Sequence, residues 1–101
     1  MPDSQTVLRA FANPGRRRAL HVLAQEERTS GSLAELCGWS KPAASQHLKV
    51  LREAGLVDVR ADGNRRVYRT RTEGLAQLRE FLDEFWTDRL SVLEDAIRAQ
   101  R

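Results

Sequence analysis

Hydrophobic and polar positions follow two different periods along this chain, and the changes of period divide it into three parts. Over residues 3–55 apolar residues recur at three- and four-residue spacings, which is the period of amphipathic helices. Over residues 56–71 apolar and polar residues alternate on either side of Asp62-Gly63-Asn64, as in a β-hairpin. The helical period returns at residue 72. The pattern predicts a mainly α protein with a small β-hairpin, in the order ααααββα.

The most clearly delimited helix of this pattern spans residues 40–55. Ser40 can cap its start with a side-chain oxygen, and Gly55 can end it in a left-handed conformation. At about 100° per residue one narrow stripe of this helix is apolar; it contains Ala44, Leu48 and Leu51. The opposite side carries polar residues, which are Lys41, Ser45, Gln46, Lys49 and Glu53. We expect the first side to be buried and the second to be exposed.

A short helix is predicted just before it, over residues 32–38. Ser32 and Glu35 have the spacing of a capping box, and Gly38 can stop the helix. Two helices joined by a tight turn that contains glycine form the helix-turn-helix plan, in which the second helix enters the major groove of DNA. An ordinary helical hairpin with a solvated polar face is the alternative. This stretch alone does not separate the two.

Two further helices are predicted before this pair. Asp3 or Ser4 can cap the first, and its apolar stripe is formed by Val7, Leu8 and Phe11. Asn13 and Pro14 can begin the second, which should end near Gln25. Residues 16–18 are three arginines in its first turns, where the helix dipole disfavours cations. These arginines therefore need carboxylate or phosphate neighbours. Residues 26–31 are predicted to be a polar loop.

The predicted hairpin is strongly basic. Toward its tip, five arginines set against one aspartate give a local balance of +4; they are Arg60, Arg65, Arg66, Arg69, Arg71 and Asp62. A charged hairpin is often only a protected sheet edge. Directly after a helix-turn-helix it is instead typical of a wing that contacts the neighbouring groove or its phosphates.

Length and charge narrow the possibilities further. The 101 residues suit one domain, and 41% hydrophobic with 31% charged residues is typical of a soluble globular protein. We expect a cytoplasmic protein with no membrane contact, because no apolar run approaches ~18 residues, no signal peptide is evident and one cysteine allows no internal disulfide. Residues 1–71 hold 13 Lys or Arg against 7 Asp or Glu, whereas residues 72–101 hold 4 against 7. The first part therefore suits an anionic partner.

The order of these elements resembles a known family, the winged-helix transcriptional repressors of the ArsR type. The most specific part is the stretch SKPAASQHLKVLREAGLV, followed by DGNRRVYR and a long last helix. The front segment VLRAFANPGRRRALHVLA is similar to the first two helices of the family. The resemblance implies a winged helix-turn-helix homodimer that binds double-stranded DNA at an inverted-repeat operator. In this family an inducer usually releases the DNA.

The sequence departs from the metal-sensing members of that family. Thiolate-sensing members carry Cys-x-Cys at the start of the helix before the recognition helix, and the matching residues 31–33 contain no cysteine. Residues 72–101 contain no histidine, and the two histidines, His21 and His47, lie on different predicted helices. We therefore predict no metal site and no cofactor, while an unknown small-molecule inducer stays open. Cys37 is expected in the core, with a redox sensor as the alternative.

The DNA-contacting residues can be predicted by position. Gln46 is the expected contact to a base edge because its amide can bond two positions on adenine. His47 lies at the edge of the apolar stripe, where it can donate to a phosphate or simply pack. The full predicted set is Ser40, Lys41, Ser45, Gln46, His47, Lys49, Arg60, Asn64, Arg65 and Arg66.

The last predicted helix, from Thr72 as cap to about Ala99, is too long for one small core. It would extend about 40 Å, and its apolar residues cover an arc of roughly 180°, wider than a helix packed on one side requires. We expect residues 1–13 and 72–101 to be dimerisation helices of the single domain 1–101. The predicted interface is Val7, Leu8, Phe11, Phe81, Phe85, Arg89, Leu90, Leu93 and Ile97. Arg89 falls inside the apolar arc, so we expect a carboxylate partner, or an anionic inducer, beside it.

Catalysis is not expected, because the sequence contains no Gly-rich phosphate loop, nucleophile elbow or catalytic Cys-His pair. The main alternative to a DNA-binding regulator is a winged helix that binds another protein and does not contact DNA. Gln46, Lys49 and the basic wing favour DNA.

Overall fold

The computed structural model describes residues 2–100 as five helices and three strands. In chain order these are α1 (Ser4–Ala12), α2 (Pro14–Gln25), β1 (Arg28–Thr29), α3 (Ser30–Cys37), α4 (Lys41–Glu53), β2 (Val57–Asp62), β3 (Arg65–Thr70) and α5 (Thr72–Ala99). The predicted winged helix-turn-helix is confirmed, with α3 and α4 as the helix pair, β2 and β3 as the wing and α5 as the long last helix.

Side-chain caps begin three of the helices where the sequence predicted them. The side chains of Asp3, Asn13 and Ser40 each accept a hydrogen bond from the backbone N–H three residues later, at 2.8, 3.0 and 3.2 Å. These bonds satisfy donors that have no partner inside the helix. The starts of α1, α2 and α4 are therefore encoded locally.

The predicted start of α3 and the predicted loop before it were wrong. Thr29, not Ser32, caps α3, and its hydroxyl accepts from the Ser32 N–H at 3.2 Å. The Ser32 hydroxyl accepts from Arg28 Nη1 instead, at 3.0 Å. Residues 28 and 29 form β1, which pairs with β3 opposite Tyr68 and Val67. The observed order is therefore ααβααββα, because a two-residue strand is too short to leave a periodic signal.

The wing is an antiparallel hairpin at one side of a three-stranded sheet with strand order β1-β3-β2. Asp62 pairs with Arg65, so the turn has two central residues. Gly63 has φ 63° while Asn64 does not have positive φ, as in a type II′ turn. The predicted hairpin and its glycine turn are confirmed.

One apolar core joins α1, α2, α3, α4, the sheet and the first turns of α5. Its largest fully buried side chains come from α3, α4 and the residue before β2: Leu33, Leu48, Leu51 and Leu56. Leu20 and Leu23 of α2, Tyr68 of β3 and Leu78 of α5 also belong to it, as does Val7 of α1. The core therefore fixes α4 and the base of the wing relative to each other.

The start of α5 touches the end of the recognition helix through backbone atoms. A Cβ at Gly74 would overlap the carbonyl oxygen of Gly55, which itself has φ 72°. The Arg71 N–H also donates to the Leu56 carbonyl at 2.8 Å. Thr72 is the first helical residue and not the cap, since Arg71 occupies the cap position without a side-chain bond. From residue 83 to residue 99 every side chain of α5 is exposed.

Among the helices of residues 2–100, none combines the length and the apolar character that crossing a membrane requires.

Candidate DNA interface

Helix α4 has one buried side and one open side. Ala44, Leu48 and Leu51 are at most 2% exposed. The open side carries five exposed side chains without a hydrogen bond or ion pair to any other residue in 2–100; they are Lys41, Ser45, Gln46, Lys49 and Arg52. Donors and cations that the protein itself leaves unused can bind an external partner. Arg52 was not in the predicted set, although its position one turn after Lys49 is visible in the sequence.

Ser40 and His47 lie at the margins of this open side. The Ser40 hydroxyl is used to cap α4, as described above, but the residue remains exposed. His47 is half-buried; its ring lies 4.4 Å from the Trp39 ring, between centroids, at an interplanar angle of 32°. Arg16 Nη1 is 3.3 Å from His47 Nδ1. Burial, and secondarily the Arg16 charge, lower the pKa of His47 below its ordinary value, which favours the neutral imidazole.

Within residues 2–100 the three consecutive arginines of α2 pair with carbonyl oxygens and not with carboxylates. Arg16 and Arg17 donate to carbonyl oxygens at the C-terminal end of α1, at 2.8 to 3.0 Å. Arg18 donates to the Leu36 carbonyl near the end of α3 at 3.3 Å. The prediction of carboxylate neighbours was wrong, because the ends of helices supply unpaired carbonyls and negative dipole charge. Phosphate neighbours stay a prediction.

Most wing arginines are paired with acids. Arg60 donates through Nε and Nη2 to Glu27 Oε2 at 3.0 and 2.6 Å, and this contact raises the pKa of Arg60. Arg69 and Arg71 lie 3.7 Å from the two carboxylate oxygens of Asp58. The predicted local balance of +4 therefore overstates the free charge, because Asp58 on β2 itself and Glu27 and Glu73 from outside the hairpin lie beside these arginines.

The tip of the wing is its most accessible basic part. Arg65 is exposed, and its Nη2 lies 3.9 Å from Asp62 Oδ2, which is a long distance for an ion pair. Asn64 is exposed in the turn. Arg66 is exposed and, among the residues that the structure describes, forms no ion pair. Of the predicted wing contacts, Arg66 is therefore the most available to an anion, whereas Arg60 would have to leave Glu27.

A separate apolar surface lies along α5. Phe85, Trp86, Leu90, Val92, Leu93 and Ile97 are between 42% and 67% exposed. The Arg89 guanidinium lies 5.3 Å from the centre of the Phe85 ring, and no carboxylate within the described chain pairs with Arg89. Of the other predicted interface residues, Leu8, Phe11 and Phe81 are half-buried, whereas Val7 is 6% exposed and belongs to the core of its own protomer.

The remaining side chains with reactive chemistry are the potential metal ligands and the Cys37 thiol. No group of three or more His, Cys, Asp or Glu side chains within residues 2–100 is arranged to hold a metal ion. The absence of a metal site stays a prediction.

Cys37 is half-buried against the core, and burial raises the pKa of its thiol while Arg18 opposes the shift. Cys37 was expected inside the core, and it lies at the edge of the core.

Comparison with known proteins agrees with this geometry. The family described as bacterial regulatory protein, arsR family, matches residues 13–59. The HTH-type transcriptional regulator Rv2034 of Mycobacterium tuberculosis is 48% identical over 82 residues, which are 81% of this chain and 77% of that protein. The arsenical resistance operon repressor of Staphylococcus xylosus is 32% identical over 81 residues, which are 80% of this chain and 78% of that protein.

A solved structure gives the same fold. The homodimeric winged helix-turn-helix DNA-binding domain Mb0332 from Mycobacterium bovis, a possible ArsR-family transcriptional regulator, has a TM-score of 0.67. It is 33% identical, and the match covers 83% of this chain and 78% of that one. The helix pair, the wing, the long last helix and these matches together show that this chain belongs to the arsR family of bacterial regulatory proteins.

Proposed function

We propose that a homodimer of this chain binds an inverted-repeat operator in double-stranded DNA and represses transcription. The observation that carries the proposal is the open side of α4, where five polar or cationic side chains have no partner within residues 2–100. A helix held by a buried apolar stripe and exposing such donors fits the major groove. The arsR-family relatives support the regulatory role.

The contacts divide into two classes. Gln46 contacts a base edge, while Lys41, Ser45 and Lys49 contact bases or fix the position of α4. Arg66, together with Arg65 and Asn64 at the wing tip, contacts phosphates. Ser40, His47 and Arg60 are also proposed contacts, although Arg60 must first leave Glu27.

The dimer is proposed from α5. An exposed apolar strip that runs for several turns requires a cover, and a twofold copy of the same helix is the commonest way to provide it. Residues 72–101 would form most of the interface with help from α1, within one domain of residues 1–101. Arg89 would then find its carboxylate, or an anionic inducer, on the twofold-related surface.

We expect DNA binding to need no further chemistry from this protein. We propose no catalytic activity, no cofactor, no metal inducer and no membrane contact, with a cytoplasmic location. Low micromolar Zn, Cu, Ni or Co should then leave operator affinity unchanged. Release of the DNA by one of these ions, abolished by Cys37→Ser or His47→Ala, would contradict the absence of a metal site.

The proposal is tested by selecting bound duplexes from a random pool and titrating the selected site. We expect an inverted repeat, and a loss of affinity of about 10³- to 10⁵-fold between 50 and 200 mM salt if roughly 6 to 10 phosphates are neutralised. A protein-binding module would select no sequence. Salt-independent binding would equally reject the DNA-binding proposal.

A further inference from the structure

One arginine connects the end of α1 to the recognition helix. Arg16 Nε donates to the Ala10 carbonyl at 2.8 Å, and its Nη2 donates to the Arg9 carbonyl at 3.0 Å. The third nitrogen, Nη1, lies 3.3 Å from Nδ1 of His47 on α4. The two carbonyl bonds fix the plane of the guanidinium, so the direction of its bond to His47 is fixed as well.

This contact determines which nitrogen of His47 carries the proton. A guanidinium has only donors, so Nδ1 of His47 must accept. In the neutral imidazole the proton then resides on Nε2, which becomes a donor. The neighbouring Trp39 ring, 4.4 Å away, restricts rotation of the imidazole. The lowered pKa of His47 is consistent with a neutral ring.

The Nε2 atom of His47 has no hydrogen-bond partner among residues 2–100 and is open to solvent. No hydrogen bond of Nε2 occurs within residues 2–100. The single buried side-chain nitrogen or oxygen without a partner in that part of the chain is Arg28 Nε. Nε2 of His47 is therefore accessible, next to the open side of α4.

We propose that Arg16 is a positioning residue for DNA binding: it holds His47 in the Nε2–H tautomer, and Nε2 donates a hydrogen bond to a phosphate oxygen beside the major groove. The inference rests on the proposed function, since it assumes that α4 meets DNA. Arg16 itself does not contact DNA. It links the carbonyl end of α1 with a donor on α4, two parts of the chain that no sequence pattern connects.

The tautomer is tested first, in the free protein, by nitrogen-15 NMR of the histidine ring at pH 7.5. We expect a neutral Nε2–H ring in the wild type. Arg16→Met should shift His47 toward a tautomer mixture. The matched control is Arg17→Met, because Arg17 also donates to carbonyls at the end of α1 but does not contact His47. An Nδ1–H ring or an imidazolium in the wild type would overturn the proposal, as would an equal shift in both variants.

The DNA contact is tested with two amide substitutions that mimic different halves of the ring. The amide nitrogen of His47→Gln can reach the place of Nε2, whereas the amide of His47→Asn reaches only the place of Nδ1. We expect His47→Gln to bind a selected duplex within about threefold of wild type and His47→Asn to lose about tenfold or more, as for a lost hydrogen bond to a charged group. The reverse order would overturn the phosphate contact.

A modified duplex separates a phosphate contact from a base contact. Replacing the contacted phosphate of each half-site by methylphosphonate should weaken wild-type binding but cause little further loss in His47→Asn. Equal losses of affinity in both proteins at every substituted phosphate would reject the contact. The contact would also be rejected if a 7-deazapurine, and no methylphosphonate, weakened wild-type binding more than binding by His47→Asn. Wild-type protein that binds no duplex at all would instead reject the proposed function, while the NMR result would still decide the tautomer.

Discussion

Two exposed residues represent the two kinds of contact expected at the DNA interface. Gln46 carries an amide that can pair with a base edge, and Arg66 carries a charge that can meet any phosphate. Both side chains lack partners within residues 2–100, so neither must give up a protein contact on binding. Their removal should therefore have different consequences for sequence preference.

We expect Gln46→Ala to relax base preference at one position in each half-site, at a cost of roughly 1 to 3 kcal/mol on the selected operator. Arg66→Ala should instead weaken selected and scrambled duplexes alike and reduce the salt dependence. Titration of both variants against both duplexes measures the difference. Equal losses on the two duplexes for Gln46→Ala would remove Gln46 as a base contact.

At the scale of elements, one ion pair links strand β2 of the wing to the segment between α2 and β1. Glu27, between α2 and β1, binds Arg60 on β2 across 33 positions of sequence. The pair is exposed, so solvent screening leaves it little effect on the stability of the fold. We expect it to hold an arginine of the wing away from DNA, so that Glu27 competes with phosphate for the same guanidinium.

Glu27→Gln is therefore expected to raise affinity for all duplexes by about threefold, the equivalent of a weak exposed ion pair. Glu35→Gln is the matched control, because it removes the same charge from an exposed side chain without an ion pair in the described chain. In an Arg60→Ala background the two substitutions should have equal effects. A larger effect of Glu27→Gln in that background would show that Arg60 is not its target.

The junction of α4 and α5 depends on the absence of a side chain. Because a Cβ at Gly74 would overlap the Gly55 carbonyl oxygen, Gly74→Ala should lower the free energy of unfolding by roughly 1 to 3 kcal/mol. Gly31→Ala in α3 is the control, since its Cβ meets no atom within 4 Å and alanine favours helix. Urea denaturation of both variants measures the difference. An unchanged stability in Gly74→Ala would mean that α5 shifts without cost.

For the whole molecule, we propose that α5 determines the number of chains in the assembly. The helix extends 28 residues, but only its first turns pack against the core of its own chain. The remaining apolar side chains form one long exposed surface. In a dimer held by this surface, binding of the first α4 to DNA would raise the effective concentration of the second α4 at its half-site. The dimer would therefore bind the operator more tightly than a monomer.

Leu90→Asp with Leu93→Asp should therefore give a folded monomer that binds its operator about 10²- to 10⁴-fold more weakly, although α4 is unchanged. Thr87→Asp with Ser91→Asp places the same two charges outside the apolar arc and should remain a dimer. Sedimentation and operator titration of both variants test this. A dimer, or a monomer that binds at full strength, would reject α5 as the interface.

The sequence by itself determined the features that depend on neighbouring residues. Caps at Asp3, Asn13 and Ser40, the turn at Gly63 and the two faces of α4 all follow from spacings of a few residues. Only the tertiary structure decided that Glu27 meets Arg60, that Arg16 meets His47 and that β1 joins the sheet. Residues about thirty or more positions apart form these contacts. Periodicity and capping report local geometry, whereas such pairs depend on how the core orients whole elements in space.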